Sequence, residues 1–131
     1  VAVHAAGVQS LIEAVTTRLE GVEDPWERLE EAAAAHVQAL FESSDLMVLL
    51  MPKFPDGISA YRDDLVQQRD GYEKIIRHLI AELKLREVFR LHLIGALNWT
   101  QTWYRPGFRL SADEIGRQLV RMLRPSQMMS D

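Results

Sequence analysis

The sequence predicts an all-α fold, an antiparallel helical bundle of about five to six helices. Three observations predict it. Apolar residues recur every three or four positions along most of the 131 residues. Strand-like alternation and internal repeats are absent. All five prolines fall between or at the edges of the periodic stretches.

In residues 1–21, Val8, Leu11, Ile12, Val15 and Leu19 share one face, with Gln9, Glu13, Thr16 and Thr17 between them. This helix has no start signal in front of it, as if the chain were entered partway along. Gly21 suits a left-handed stop. Asp24-Pro25-Trp26-Glu27 then supplies a capping residue, a proline at the first helical position and a reciprocal glutamate. The second helix follows, with Trp26, Leu29, Ala33, His36, Val37, Leu40 and Phe41 as its apolar stripe. Ser43, Ser44 and Asp45 interrupt it, Leu46 to Met51 forms a short apolar turn, and Pro52, Pro55 and Gly57 define a loop. A long helix from about Ile58 to Leu83 carries Tyr61, Leu65, Gln68, Tyr72, Ile75, Ile76, Leu79 and Leu83. Glu87 to Tyr104 is apolar around its whole axis and needs burial on two sides. Pro106-Gly107 ends it, and Ser111-Ala112-Asp113-Glu114 reads as a capping box opening a last helix on which Ile115, Leu119, Val120, Met122 and Leu123 share a face. Pro125 stops that helix.

Composition removes several functions. With 19 acidic against 15 basic side chains, the net charge of −4 does not suit a domain that grips nucleic acid by neutralising phosphates. The absence of cysteine excludes disulfides, thiolate zinc sites and cysteine nucleophiles. No apolar run spans a bilayer and no leader pattern opens the chain, so no membrane contact and a cytoplasmic location are expected. His4, His36, His78 and His92 lie on different segments, outside any nucleophile or metal motif, so no catalytic residues, metal site or cofactor are expected.

Some polar residues nevertheless sit on apolar stripes. His36 should point inward, either as a core histidine bonded to a neighbour or as a ligand contact. Gln68 needs partners for an amide that both donates and accepts, from another side chain or from a bound molecule. Tyr61 and Tyr72 read as core aromatics or as lining for a cavity. Arg117, Arg121 and Arg124 form a basic row, read as a solvated face in preference to a phosphate stripe, and the acids from Glu20 to Glu31 are read as surface.

Gly95 and Gly116 each cost a helix about 1 kcal/mol, which close backbone approach offsets. Together with the all-round apolarity of residues 88–103, this predicts a homodimer. Its isologous four-helix bundle would centre on Leu91, Ile94, Gly95 and Asn98 of one helix and Ile115, Leu119 and Met122 of the last.

The segment Arg90 to Gly107, RLHLIGALNWTQTWYRPG, with LSADEIGRQL after it, resembles the last two helices of the C-terminal regulatory domain of TetR/AcrR-type transcriptional repressors. Upstream, DPWERLEEAAAAHVQAL and RDGYEKIIRHLI resemble earlier helices of that domain. Within the family, the likeness is greatest to regulators of lipid, fatty-acid or sterol breakdown, whose effectors include acyl-coenzyme A thioesters. One feature departs from the pattern. Related sequences place a longer connection before the FRLHLIGALNW helix, whereas here Lys84 to Glu87 alone bridges the two helices.

The resemblance implies a two-part protein whose operator DNA is read by an N-terminal helix-turn-helix domain missing from this chain. Residues 1–21 would be the connector from that head, and 22–131 the single effector-binding and dimerisation domain. A small apolar effector, such as an acyl-coenzyme A or a lipid- or sterol-derived metabolite, would enter among the first four helices and shift the connector. That shift would alter the separation of the heads across two half-sites. Tenfold preference for the released state would correspond to about 1.4 kcal/mol. The implied lining is Leu11, Val15, His36, Leu40, Met47, Tyr61, Leu65, Gln68, Tyr72 and Trp103, with His36, Gln68 and Tyr72 orienting the ligand. The alternative is a purely structural dimerisation module whose own side chains fill the cavity.

Overall fold

The computed structural model describes residues 2–42, 62–105 and 107–124. Five α-helices make up the described chain: α1 (Ala2–Leu19), α2 (Pro25–Glu42), α3 (Arg62–Ala81), α4 (Glu87–Trp103) and α5 (Ala112–Leu123). The all-α architecture is as the periodicity predicts. The apolar turn at 46–51, the loop after it and the start of the predicted 58–83 helix lie outside the described residues.

Local signals set the helix ends. Gly21 takes a left-handed φ of 77°, and the Asp24 carboxylate accepts the Glu27 amide at 2.9 Å, so the predicted cap at α2 forms. The short join between α3 and α4 closes through Leu83 and Lys84, whose amides bond the Ile80 and Ala81 carbonyls at 3.0 Å each. Lys84 adopts a φ of 56° to do so, a place where glycine is usual. Ser111 stands at the N-cap of α5 as expected, but its side chain makes no capping bond there.

The core is organised around α2, which packs against all four other helices and most extensively against α5. The run Ala32–Val37 is buried at six successive positions, more than one helix face, because neighbours surround it. Alanine suits this position: small side chains let helix backbones come close on several sides. On α5, Gly116 completes the approach, since a Cβ there would meet the Ala33 carbonyl oxygen at 2.3 Å. Leu29, Val37 and Leu40 of α2 join Val8, Leu11 and Val15 of α1, Tyr72, Ile76 and Leu79 of α3, and Leu93 and Leu97 of α4 in one cluster.

Two expectations about surfaces change. The row Arg117/Arg121 is an ion-paired seam between α5 and α2, with Arg117 partly buried and Arg121 at its solvated edge. Arg117 donates to both Glu31 oxygens at 2.8 and 3.3 Å and reaches Glu114 at 3.1 Å. Arg121 bonds Glu30 at 3.0 Å. Arg18 of α1 stands 3.5 Å from Glu31, so that carboxylate joins three helices. Its pKa is held below the usual carboxylate range, first by the Arg117 hydrogen bond. The third member of the row, Arg124, covers the Trp26 ring at 4.7 Å.

Gly95 differs from Gly116. A Cβ on Gly95 would meet nothing within 4 Å, so close approach inside the chain is not what it serves. On α4, Arg90, Leu93, Leu97 and Thr100 form the buried face. Val88, Leu91 and Trp99, each more than half exposed, lie with Gly95 roughly 200° round the axis, on the opposite side. The all-round apolarity thus resolves into one buried face and one open stripe.

Candidate functional site

The site begins with a polar residue in the middle of α2. His36 is 1% exposed among alanines and valine, yet both its ring nitrogens have partners. Nδ1 lies 2.6 Å from the Tyr72 hydroxyl of α3, and Nε2 lies 2.7 Å from Asn98 Oδ1 of α4. Burial pulls the imidazole down to about 4, against the raising effect of Asn98, so the ring is neutral at pH 7. The neutral ring has one N–H, and an amide oxygen only accepts. Nε2–H therefore donates to Asn98, and the Tyr72 hydroxyl donates to Nδ1. Burial also raises the Tyr72 hydroxyl above its ordinary range, which keeps it a donor. The result is a one-directional relay, Tyr72 to His36 to Asn98, joining three helices across the core.

A cavity of about 20 Å³ adjoins the relay, lined by His36, Tyr72, Ile76, Ile94 and Asn98 with Glu73 and Arg90. That is room for about one water. Arg90 is buried to 8% exposure and donates to Glu87 one turn earlier at 2.8 Å.

Gln68 stands one turn before Tyr72 on α3. Its Oε1 atom is buried and has no hydrogen-bond partner. A carbonyl oxygen removed from water without a donor costs about 1–3 kcal/mol, and such an atom calls for explanation.

The structure thus brings His36, Tyr72 and Asn98 into direct contact, with Gln68 one turn away. Leu11, Val15 and Leu40 are fully buried in the core those residues cross. Trp103 is elsewhere. It lies at the end of α4, 39% exposed, its ring 5.8 Å from that of Phe108. The backbone of Leu65 is in the first turn of α3, and Met47 and Tyr61 lie outside the described residues. Among the expected interface residues, Leu91, Gly95 and Met122 are on open surface and Ile94 and Leu119 are half-buried. Ile115 and Asn98 take inward positions. Ile115 is 3% exposed and sits in the chain's own core, because α5 turns that position toward α2. Asn98 is bonded inward to His36.

Sequence reasoning missed Asn98 as the partner of His36, although an amide on an apolar helix is the signal for such a bond. It also missed Arg90, whose Glu87 at i−3 is legible in the sequence. Among the described residues no group of three or more His, Asp or Glu is placed to hold a metal, and no helix is long and apolar enough to cross a membrane.

The described residues thus form a five-helix bundle crossed by a closed polar relay, with one open apolar stripe. The family is shown by comparison. The model of the tetracyclin repressor-like C-terminal domain matches residues 22–126, and the chain belongs to that family. Among solved structures, it is similar to a transcriptional regulator of the TetR/AcrR family from Thermobifida fusca, with 26% identity, a TM-score of 0.67, and coverage of 93% of this chain and 69% of that one. No curated protein matches it. The domain is the C-terminal domain of a TetR-family transcription regulator.

Proposed function

We propose that this domain binds a small, mainly apolar effector bearing a hydrogen-bond donor, and that it homodimerises through α4 and α5. In this reading residues 1–21 connect it to an N-terminal helix-turn-helix head that reads the operator. The observation that carries the effector reading is the buried, unpartnered Oε1 of Gln68. An effector hydroxyl, amide or protonated acid would satisfy it, while an aliphatic body would lie against the apolar side chains of α1, α2 and α3. Acyl-coenzyme A thioesters and lipid- or sterol-derived metabolites are the candidate class. A cytoplasmic setting goes with that role.

Homodimerisation has separate support. Val88, Leu91 and Trp99 are 70%, 57% and 62% exposed on one side of α4, and Met122 is 78% exposed on α5. Gly95 in their midst leaves room for a second helix to come close.

Native mass spectra of the chain, before and after mild organic extraction and then with fatty acids, acyl-coenzyme A thioesters and sterol acids added, test both parts. Dimer mass plus ligand, with ligand lost on Gln68→Leu, is expected. The second reading, a dimerisation module without an effector, is favoured by the closure of the relay around a water-sized cavity. A dimer that takes up none of these compounds would establish it.

A further inference from the structure

The described surface contains another concave region, on a different face of α3 from the relay. It is an open groove of about 600 Å³ where the end of α1 and the start of α2 meet the outer side of α3. Leu19, Ile75 and Leu79 form its apolar floor, and Arg28, Lys74, Arg77 and His78 its polar rim. No carboxylate lines it, although acids outnumber bases along the chain. Gly71, Lys74, Ile75 and His78 fall at i, i+3, i+4 and i+7, so one stripe of α3 presents both the floor and the charge. Gly71 opens one end, because a side chain there would meet nothing within 4 Å.

The cations differ in availability. At one end Glu82 stands 3.3 Å from His78 and 4.0 Å from Arg28. Arg28 also commits its Nη1 to the Leu19 and Val22 carbonyls at 3.2 and 2.8 Å, tying down the turn between α1 and α2. Lys74 and Arg77 have no ion-pair partner among the described residues. Lys74, with Arg77 offset only by the longer-range attraction of Glu87, stands beside an apolar trough and complements a ligand that is anionic at one end and aliphatic along the rest.

We propose that this groove binds a single-chain anionic amphiphile, its phosphate or comparable anionic head held by Lys74 and Arg77 and its alkyl chain laid over Leu19, Ile75 and Leu79. The site is distinct from the Gln68 region and does not depend on that reading. Its occupant touches the α1–α2 turn, the point at which α1 joins the body of the domain.

Isothermal titration calorimetry of the chain with decyl phosphate below its micelle concentration tests the proposal, with decanol and inorganic phosphate as partial ligands. Decyl phosphate is expected to bind at least tenfold more tightly than either. The double variant Lys74→Glu/Arg77→Glu should weaken it at least tenfold, while the charge-matched surface variant Arg105→Glu/Arg109→Glu should not. Gly71→Leu should abolish binding by filling the trough, and since it replaces a helical glycine pointing into open space, the fold is retained, as circular dichroism would verify. Absence of decyl phosphate binding, equal binding of decanol or inorganic phosphate, or binding that survives both groove variants overturns the proposal. Loss on Gln68→Leu with the groove variants neutral would also overturn it, moving the amphiphile to the effector region.

Discussion

Gly116 of α5 lies against Ala33 of α2 so closely that a single added carbon would stand 2.3 Å from the Ala33 carbonyl oxygen and 2.6 Å from its carbon. The obstacle is backbone in the middle of a helix, which cannot swing aside as a side chain can. Gly116→Ala gains about 1 kcal/mol of helix propensity. The forced separation of α5 from α2 outweighs it, and overpacking of this kind costs about 1–3 kcal/mol net. A urea midpoint lower than that of the parent chain is the expected result; an unchanged or higher midpoint would contradict the packing.

The relay predicts a pH dependence with a definite sign. His36 has its folded value depressed to about 4 from 6.5, so between those limits the unfolded chain takes up a proton that the folded chain excludes. Stability is therefore complete above about pH 6.5 and declines as pH falls toward 4, by roughly 3 kcal/mol over the whole window. Glu31 and Asp113, both held below the usual carboxylate range, lose their contributions lower, as pH falls through acidic values. Urea midpoints at pH 7, 6 and 5 should fall steadily in the parent chain, and His36→Gln, which keeps a donor and an acceptor, should flatten that slope.

If the domain pairs through α4 as proposed, charge placed on the open stripe of that helix should abolish pairing without unfolding the subunit. Leu91→Glu and Trp99→Glu alter side chains 57% and 62% exposed in the single chain, so helical content and melting of the monomer should change little. Sedimentation at micromolar concentration is expected to give a dimer for the parent chain and a monomer for either variant. A variant that stays dimeric would remove α4 from the interface.

The α2–α5 seam predicts unequal effects from two neighbouring arginines. Arg117, 23% exposed, grips Glu31 with two donors, and Arg117→Ala should cost about 1–2 kcal/mol by leaving a half-buried carboxylate short of partners. Arg121 is 52% exposed, and solvent screening should leave Arg121→Ala with a much smaller effect than Arg117→Ala. Chemical denaturation at low and high salt separates them: only the Arg117 effect should persist in high salt.

The helix boundaries were legible because their signals are local. Asp24-Pro25 and Ser111 act on the next three or four residues, and periodicity needs only one turn of context. What a helix face meets is another matter. The glycine rule marked Gly95 and Gly116 alike, yet the residue opposite decides between them, and Ala33 lies far from Gly116 in sequence. Arg117 and Arg121 resembled a solvated row for the same reason, their partners Glu31 and Glu30 being 86 and 91 positions away. His36 was recognisable as an inward polar residue, but spacing alone left open whether Asn98 of α4 or a bound molecule would meet it. Gln68 remained the clearest sequence signal for an effector contact, since its amide interrupts an otherwise apolar stripe.

The six successive buried residues from Ala32 to Val37 have a mechanical consequence. A helix surrounded on several sides acts as a stator: turning or sliding it would break contacts with every other helix at once, including the relay at His36. Displacement is cheaper at the periphery, where α1 rests mainly on α2 and α3. A signal passing through this domain would therefore be expressed as the swing of an outer lever about a fixed axle.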